Sequence, residues 1–89
     1  MGQPVIEVFV CRGFSGQILR LSLPAQTPME HLLRELLPQL QLPADPETVG
    51  VYNLTQDFEY LPTDTLAQRR TRPGDLVLVA PGGTCQRRS

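Results

Sequence analysis

The sequence predicts an α+β fold in which one helix packs across a mixed β-sheet of four to five strands. Two alternating apolar segments, residues 5–11 and 17–23, stand close together near the start of the chain, and a leucine-rich amphipathic segment follows them. A last alternating segment, residues 75–80, lies far from these two in the sequence. Because a helix that crosses over a hairpin brings a distant strand back beside it, we expect this last strand to lie parallel to the first.

The first two segments predict a β-hairpin. Residues 5–11 read VIEVFVC and are rich in β-branched side chains, whereas residues 17–23 read QILRLSL, in which leucines alternate with polar residues. The connecting sequence RGFSG contains two glycines, which adopt a positive φ in a tight turn without strain. The alternation places Leu19 and Leu21 on the buried face of the second strand.

The segment PAQTPMEHLLRELLPQLQLP predicts the helix. Thr27 followed by Glu30 three residues later is typical of a capping box, and Pro28 suits the first helical position. Apolar residues then recur at helical spacing. We therefore expect Leu33 and Leu37 to face the sheet.

The remaining segments predict the rest of the sheet. TVGVYNL reads as a third strand with Gly50 in its middle, and a short strand is expected near residues 58–61. A helical turn and the turn sequence RPGD then precede the last strand. In that strand leucines alternate with valines, and we expect Leu76 and Leu78 to be buried.

Length and charge restrict the function. The chain of 89 residues with 40% hydrophobic content is long enough for one domain, which we assign to residues 1–81. A formal net charge of -1 gives no broad field that attracts nucleic acid or an anionic membrane, but Arg69, Arg70 and Arg72 form a local basic patch. No apolar run approaches the roughly 18 residues of a membrane-spanning helix, so we expect a cytoplasmic protein.

The sequence offers few groups for catalysis or metal binding. His31 is the single histidine, and no nucleophile motif surrounds it. The two cysteines, Cys11 and Cys85, are far apart and form no CxxC pair, which argues against a zinc site. We therefore expect no enzymatic activity, no metal and no cofactor.

The order of the elements and two local motifs resemble the ubiquitin-like β-grasp fold, in particular its bacterial YukD-like branch. LSLPAQTPMEHLLRELL is similar to the second strand and helix entry of that branch. YLPTDTLAQRRTRPGDLVLV is similar to its closing segment, in which a leucine-anchored turn precedes a Gly-Asp turn and the last strand. The resemblance covers about residues 5–83.

This resemblance gives a meaning to Gly82 and Gly83, which follow the last strand. In conjugated ubiquitin-like proteins and in sulfur carriers, the last strand leads to a Gly-Gly pair whose carboxylate an activating enzyme adenylates. Glycine suits this role because it has no Cβ to obstruct a narrow cleft or the reacting carbonyl. Since TCQRRS follows, the resemblance implies a bacterial modifier precursor that a peptidase cuts between Gly83 and Thr84. Residues 82–89 are then the Gly-Gly motif and a flexible, removable tail.

A modifier of this kind implies specific partners: an activating enzyme similar to that of ubiquitin, a conjugating enzyme, a maturing or deconjugating peptidase, and target proteins. We predict no nucleic-acid partner and no membrane insertion. Gly50 stands about where ubiquitin has the central isoleucine of its apolar binding patch, so a smaller patch is expected here. The predicted partner-binding surface consists of Phe14, Val77, Val79, Arg69, Arg70 and Arg72.

Two other interpretations of the Gly-Gly pair remain open. In the first, the chain is an unconjugated YukD-like interaction module of the kind linked to type VII secretion, and the glycines are only a hinge. In the second, it is a sulfur carrier, which the short VAPGG ending resembles. The tail argues against the carrier because such carriers usually end at the glycine.

Overall fold

The computed structural model describes residues 4–42 and 45–81. Within them, the five strands and one α-helix follow the predicted order, and two short 3-10 turns occur that were not predicted. The strands are β1 (Val5–Arg12), β2 (Gln17–Pro24), β3 (Val49–Asn53), β4 (Phe58–Glu59) and β5 (Leu76–Pro81), the helix is α1 (Met29–Gln39), and the 3-10 turns span Gly13–Ser15 and Pro46–Thr48.

The strands form one mixed sheet in the order β2-β1-β5-β3-β4. β1 and β2 pair antiparallel, with Val5 opposite Pro24 and Arg12 opposite Gln17, which confirms the predicted hairpin. β5 lies parallel to β1 and antiparallel to β3. The expected parallel pairing of the first and last strands is therefore confirmed, and β5 is the central strand.

The start of α1 is fixed by a loop that is distant in the sequence. The helix begins at Met29, one residue later than predicted, with Pro28 at the N-cap position. The Met29 N–H donates to the Asp64 carbonyl at 2.7 Å, and the Glu30 N–H donates to the Pro62 carbonyl at 2.9 Å. These bonds satisfy two of the N–H groups that a helix start leaves without intrahelical partners. The loop before β5 is thereby tied to α1.

The end of α1 forms a Schellman motif. The Leu42 N–H donates to the Leu37 carbonyl at 3.0 Å, and the Gln41 N–H donates to the Pro38 carbonyl at 3.1 Å. Gln41 has a φ of 57°, the left-handed conformation that this motif requires at the residue after the cap. A non-glycine residue here is strained, because its Cβ crowds the backbone.

The core lies between α1 and one face of the sheet. Leu33 and Leu37 are buried, as predicted. Leu19 and Leu21 pack against the core but remain partly exposed, because β2 is an edge strand with no neighbour on its outer side. The other large contributions come from β1, β3, α1 and the segments that follow α1 and β4: Val8, Val10, Leu32, Leu36, Leu40, Val51, Tyr60 and Leu66.

The orientation of β5 is opposite to the prediction. Val77 and Val79 are 2% and 0% exposed and lie in the core, whereas Leu76 and Leu78 are only half-buried. The reason is the register with β1, which places Val77 beside the core residue Val10. Neighbouring residues of paired strands share a face, so the two leucines point away from α1.

Candidate functional site: the outer face of the sheet and the end of β5

The central strand ends where the predicted conjugation motif begins. β5 is paired with β3 as far as Pro81, which lies opposite Val49. Gly82, Gly83 and Thr84 lie outside the described residues. In the sequence Gly82 follows Pro81 directly, so the motif is contiguous with a strand paired at the centre of the sheet.

The sheet face that α1 does not cover carries a group of apolar side chains with polar residues beside them. We call it the outer face. In one row across four strands, Cys11 lies between Ile18 and Leu78, and Leu78 lies beside Tyr52. Ile18 remains 54% exposed. A neighbouring row places Phe9, 39% exposed, beside Leu76. Apolar side chains grouped in this way are typical of a protein-binding surface.

Tyr52 covers the position of Gly50 on this face. A Cβ at Gly50 would lie 2.8 Å from the Tyr52 hydroxyl oxygen and 2.9 Å from a ring carbon, which is closer than real contacts allow. The phenol therefore leans over Gly50, and Gly50 lies opposite Ala80 of β5. The ring thus occupies the place where the resemblance to ubiquitin puts an isoleucine side chain, and it points toward the end of β5.

The Tyr52 hydroxyl is a protonated and accessible polar group. Burial of the ring, and then the negative charge of Glu59 opposite it, raise the pKa of Tyr52 above its ordinary value of 10.0. The hydroxyl therefore stays neutral at physiological pH and is able both to donate and to accept a hydrogen bond. Among the residues that the structure describes, it has no hydrogen-bond partner.

The predicted basic patch lies at the opposite end of β5. The Arg69 guanidinium stands 4.3 Å from the centroid of the Phe58 ring and 3.4 Å from the Asp64 carboxylate. Arg69 is thus engaged within the fold, whereas Arg70 and Arg72 are exposed. The six residues of β5 separate this loop from the end of the strand by about 20 Å. The structure therefore does not bring the arginines together with the end of β5.

A buried carboxylate holds the arginine loop in place. The Asp75 carboxylate, 4% exposed, accepts hydrogen bonds from Asn53 Nδ2 at 3.0 Å, Gln56 Nε2 at 2.6 Å and the Arg72 N–H at 3.1 Å. Burial raises the pKa of Asp75, but these hydrogen bonds and the charge of Arg72 outweigh it, so the pKa falls below 3.8. Asn53 Nδ2 also donates to the Tyr60 hydroxyl at 3.1 Å. The cluster joins the end of β3, the residue after β4 and the residue before β5.

The predicted apolar patch is wrong for two of its members. Val77 and Val79 face α1 and are buried, so neither is available to a partner. Phe14 belongs to the turn Gly13–Ser15 between β1 and β2, and its side chain is outside what the structure describes.

The residues of the outer face itself were missed. A sequence signal for them exists, because Phe9 and Ile18 occupy strand positions that alternate with core residues such as Val8 and Leu19. An apolar residue at such a position indicates a second apolar face. The sequence gives no comparable signal for Tyr52, because the position of its ring over Gly50 depends on how the side chain packs in the folded sheet.

Residues 4–42 and 45–81 contain neither a candidate metal site nor a candidate membrane-spanning helix. No group of three or more His, Cys, Asp or Glu side chains in these ranges is placed to hold a metal ion. Nor is the described helix long and apolar enough to cross a membrane.

Comparison with known proteins identifies the fold. No protein-family model and no curated protein matches the sequence. Among solved structures, a designed protein based on ubiquitin is similar over 96% of this chain and 98% of its own, with a TM-score of 0.71 and 21% identity. The ubiquitin of Caldiarchaeum subterraneum is similar over 93% of this chain and 100% of its own, with a TM-score of 0.70 and 12% identity.

A third similar structure is protomer 1 of the ESX-3 core complex. Its TM-score is 0.71 at 17% identity, and the likeness covers 93% of this chain but only 17% of that chain. At these identities the likenesses concern architecture, and they agree with the strand order and the single crossing helix described above. The chain therefore has the ubiquitin-like β-grasp fold.

Proposed function

We propose that the chain is the precursor of a ubiquitin-like protein modifier, which is cut after Gly83 and joined to its targets through that glycine. The observation that supports this most is the continuity between β5, paired through Pro81 at the centre of the sheet, and the glycine pair that follows in the sequence. The likeness to an archaeal ubiquitin over nearly the whole chain agrees with it.

The proposed chemistry uses the chain as a substrate and not as an enzyme. A peptidase hydrolyses the peptide bond between Gly83 and Thr84, which leaves a carboxylate on Gly83. An activating enzyme transfers AMP from ATP to this carboxylate and releases pyrophosphate. A cysteine thiolate then displaces AMP to form a thioester, which passes to a conjugating enzyme and is finally attacked by a nucleophile of the target. No cofactor bound by this chain is required.

The outer face is the surface on which we place non-covalent partners of the modifier. Phe9 and Ile18 keep large apolar side chains in contact with solvent, and their burial against a partner is favourable by about 25 cal/mol for each Å² removed from water. Arg20 lies beside Phe9 on β2 and pairs with Glu7 at 3.5 Å. Charged residues thus border the apolar surface, as in many binding sites.

Expression of the full-length chain together with the neighbouring genes of its host tests the proposal. The expected result is a protein whose intact mass corresponds to residues 1–83, together with heavier adducts. Gly83→Ala is the matched variant, and we expect it to weaken both cutting and transfer because its methyl group crowds the reacting carbonyl. Recovery of only uncut protein without adducts contradicts the proposal.

The absence of lysine predicts the type of linkage in any chain that the modifier forms with itself. All eight basic residues of the sequence are arginines, so no side chain offers an amine. Self-linked chains are then joined through the α-amine or through hydroxyl or thiol esters. Esters are cleaved by hydroxylamine and amides are not, so hydroxylamine treatment followed by mass measurement distinguishes the two.

An unconjugated interaction module of the YukD-like branch is the second candidate. The observation in its favour is the likeness to a chain of the ESX-3 core complex, together with an outer face suited to non-covalent docking. In this case Gly83→Ala has no effect on partner binding, whereas Ile18→Arg on the outer face weakens it. Ile18→Arg weakens non-covalent binding under both candidates, so the candidates are separated by whether Gly83→Ala also abolishes cutting and adducts in the cells.

A further inference from the structure

Only Gly82 stands between Pro81 and Gly83 in the sequence, which limits how an enzyme reaches the cutting point that the proposed function requires. β5 is paired with β3 through Pro81. Two residues beyond it, even fully extended, span at most about 7 Å. A peptidase that holds the Gly83 carbonyl in its cleft must therefore contact the end of the sheet itself.

Most polar side chains at this end of the sheet already have partners within the fold. The Ser15 and Thr48 hydroxyls donate to backbone carbonyls at 3.0 and 2.9 Å. Arg12 Nη2 donates at 3.1 Å to the Gln41 carbonyl just after α1, whereas the buried Arg12 Nε has no hydrogen-bond partner in the part of the chain that the structure describes. An enzyme that contacts these groups gains little, because each of their internal bonds would have to be exchanged.

The Tyr52 hydroxyl differs from these groups. It has no hydrogen-bond partner in the part of the chain that the structure describes. The contact of its ring with Gly50 directs it along β3 to the level of Ala80, one residue before Pro81. It is thus a solvent-accessible polar group that the enzyme can contact without breaking a hydrogen bond inside the fold.

We infer that the Tyr52 hydroxyl is a hydrogen-bonding contact for the peptidase that cuts after Gly83, and that this contact contributes to the choice of substrate. The inference rests on the proposed function. Tyr52 acts here by positioning the chain and takes no part in the chemistry. The contact follows from the short connection, because two residues beyond Pro81 reach at most about 7 Å from the sheet.

Tyr52→Phe is the direct test, because it removes the hydroxyl and keeps the ring over Gly50. Purified full-length protein is added to an extract of the cells that produce it, and the appearance of residues 1–83 is followed by intact mass. The expected rate of cutting is lower by about three- to tenfold, the usual effect of one lost hydrogen bond. Ser22→Ala is the matched control, since it removes an exposed hydroxyl of β2 near the far end of the sheet, and its rate should equal that of the wild type.

A spacer variant gives an independent readout. Four residues, Gly-Ser-Gly-Ser, are inserted between Pro81 and Gly82, which extends the reach of the glycines to about 20 Å. If the enzyme touches Tyr52 only because the glycines are close to the sheet, Tyr52→Phe no longer slows cutting in the spacer protein. A melting temperature equal to that of the wild type shows that each variant is folded.

The cutting rates of these variants distinguish the proposed function from the further inference about Tyr52. Slower cutting of Tyr52→Phe that the spacer abolishes supports the inference. Equal rates of cutting for Tyr52→Phe and wild type overturn the inference and leave the proposed function intact. The inference is also overturned if Tyr52→Phe still slows cutting in the spacer protein. Failure of the wild-type protein to be cut at all overturns both.

Discussion

Asp75→Asn is expected to lower the free energy of unfolding by about 2 kcal/mol at pH 7. The Asp75 carboxylate accepts three hydrogen bonds, from Asn53, Gln56 and the Arg72 N–H. A hydrogen bond to a charged acceptor contributes about 1 kcal/mol more than one to a neutral acceptor, so three such bonds lose about 3 kcal/mol. Removal of a buried charge offsets about 1 kcal/mol of this.

The difference between the two proteins should depend on pH. Because the pKa of Asp75 in the folded protein lies below 3.8, its ionised form stabilises the fold at every pH above that value. This contribution is lost as the pH falls through the folded-state pKa, where the carboxylate gains a proton. The D75N protein lacks this titration. Wild type and D75N should therefore differ fully at pH 7 and become similar well below pH 3.8.

Urea unfolding followed by circular dichroism at several pH values measures this difference. Asp57→Asn is the matched control, since Asp57 is exposed and its φ of 64° is one that asparagine also tolerates. That control should leave the free energy of unfolding within about 0.5 kcal/mol of the wild type. If D75N equals wild type at pH 7, or if their difference stays constant into acid, the role assigned to the carboxylate is wrong.

Four other substitutions test the fold by the same unfolding measurement. Gly74→Ala should cost about 1–2 kcal/mol because Gly74 has a φ of 88° with open space around it, so only backbone strain opposes the methyl group; an unchanged midpoint contradicts that conformation. Gln41→Gly should add about 0.5–1 kcal/mol by relieving the left-handed residue after α1, and a loss of stability contradicts the Schellman motif. Val79→Ala should cost about 2 kcal/mol and Leu78→Ala about 1 kcal/mol or less, because only Val79 is in the core; the reverse order contradicts the orientation of β5.

Sequence periodicity located the strands and the helix but not all of their faces. In β1 and β2, polar residues such as Glu7 and Arg20 mark the face that points away from α1. In β5 the alternation LVLVA is apolar on both faces, so periodicity alone does not distinguish Leu78 from Val79. That choice depends on the register of β5 against β1, which involves residues far apart in the sequence.

The candidate site was predictable only where it is continuous in the sequence. The glycine pair is read directly from the chain, and its meaning came from the resemblance to ubiquitin-like proteins. The outer face is assembled from four strands, so Ile18 and Tyr52 become part of one surface only through strand order. The start of α1 was not fully predictable for the same reason. A capping motif includes only residues close in the sequence, whereas the acceptors here are the carbonyls of Pro62 and Asp64, which lie far from α1 in the sequence.

The two ends of β5 are held differently, and this difference predicts how the strand moves. Pairing with β1 stops at Val79, opposite Arg12, whereas pairing with β3 continues to Pro81. In an antiparallel pair of strands, every second residue bonds to the partner strand. The Leu54 N–H donates to the Leu76 carbonyl, so the N–H groups of Leu78 and Ala80, two and four residues further along β5, also point to β3. Of these two residues, only Ala80 lies beyond the last pair of β5 with β1. Local opening of the strand at Ala80 therefore breaks fewer contacts than opening at Leu78. Its amide hydrogen should therefore exchange with solvent at least about tenfold faster than that of Leu78, as nuclear magnetic resonance would measure. Equal protection of the two amides would mean that the end of β5 is as firmly held as its middle, which contradicts the expected local opening.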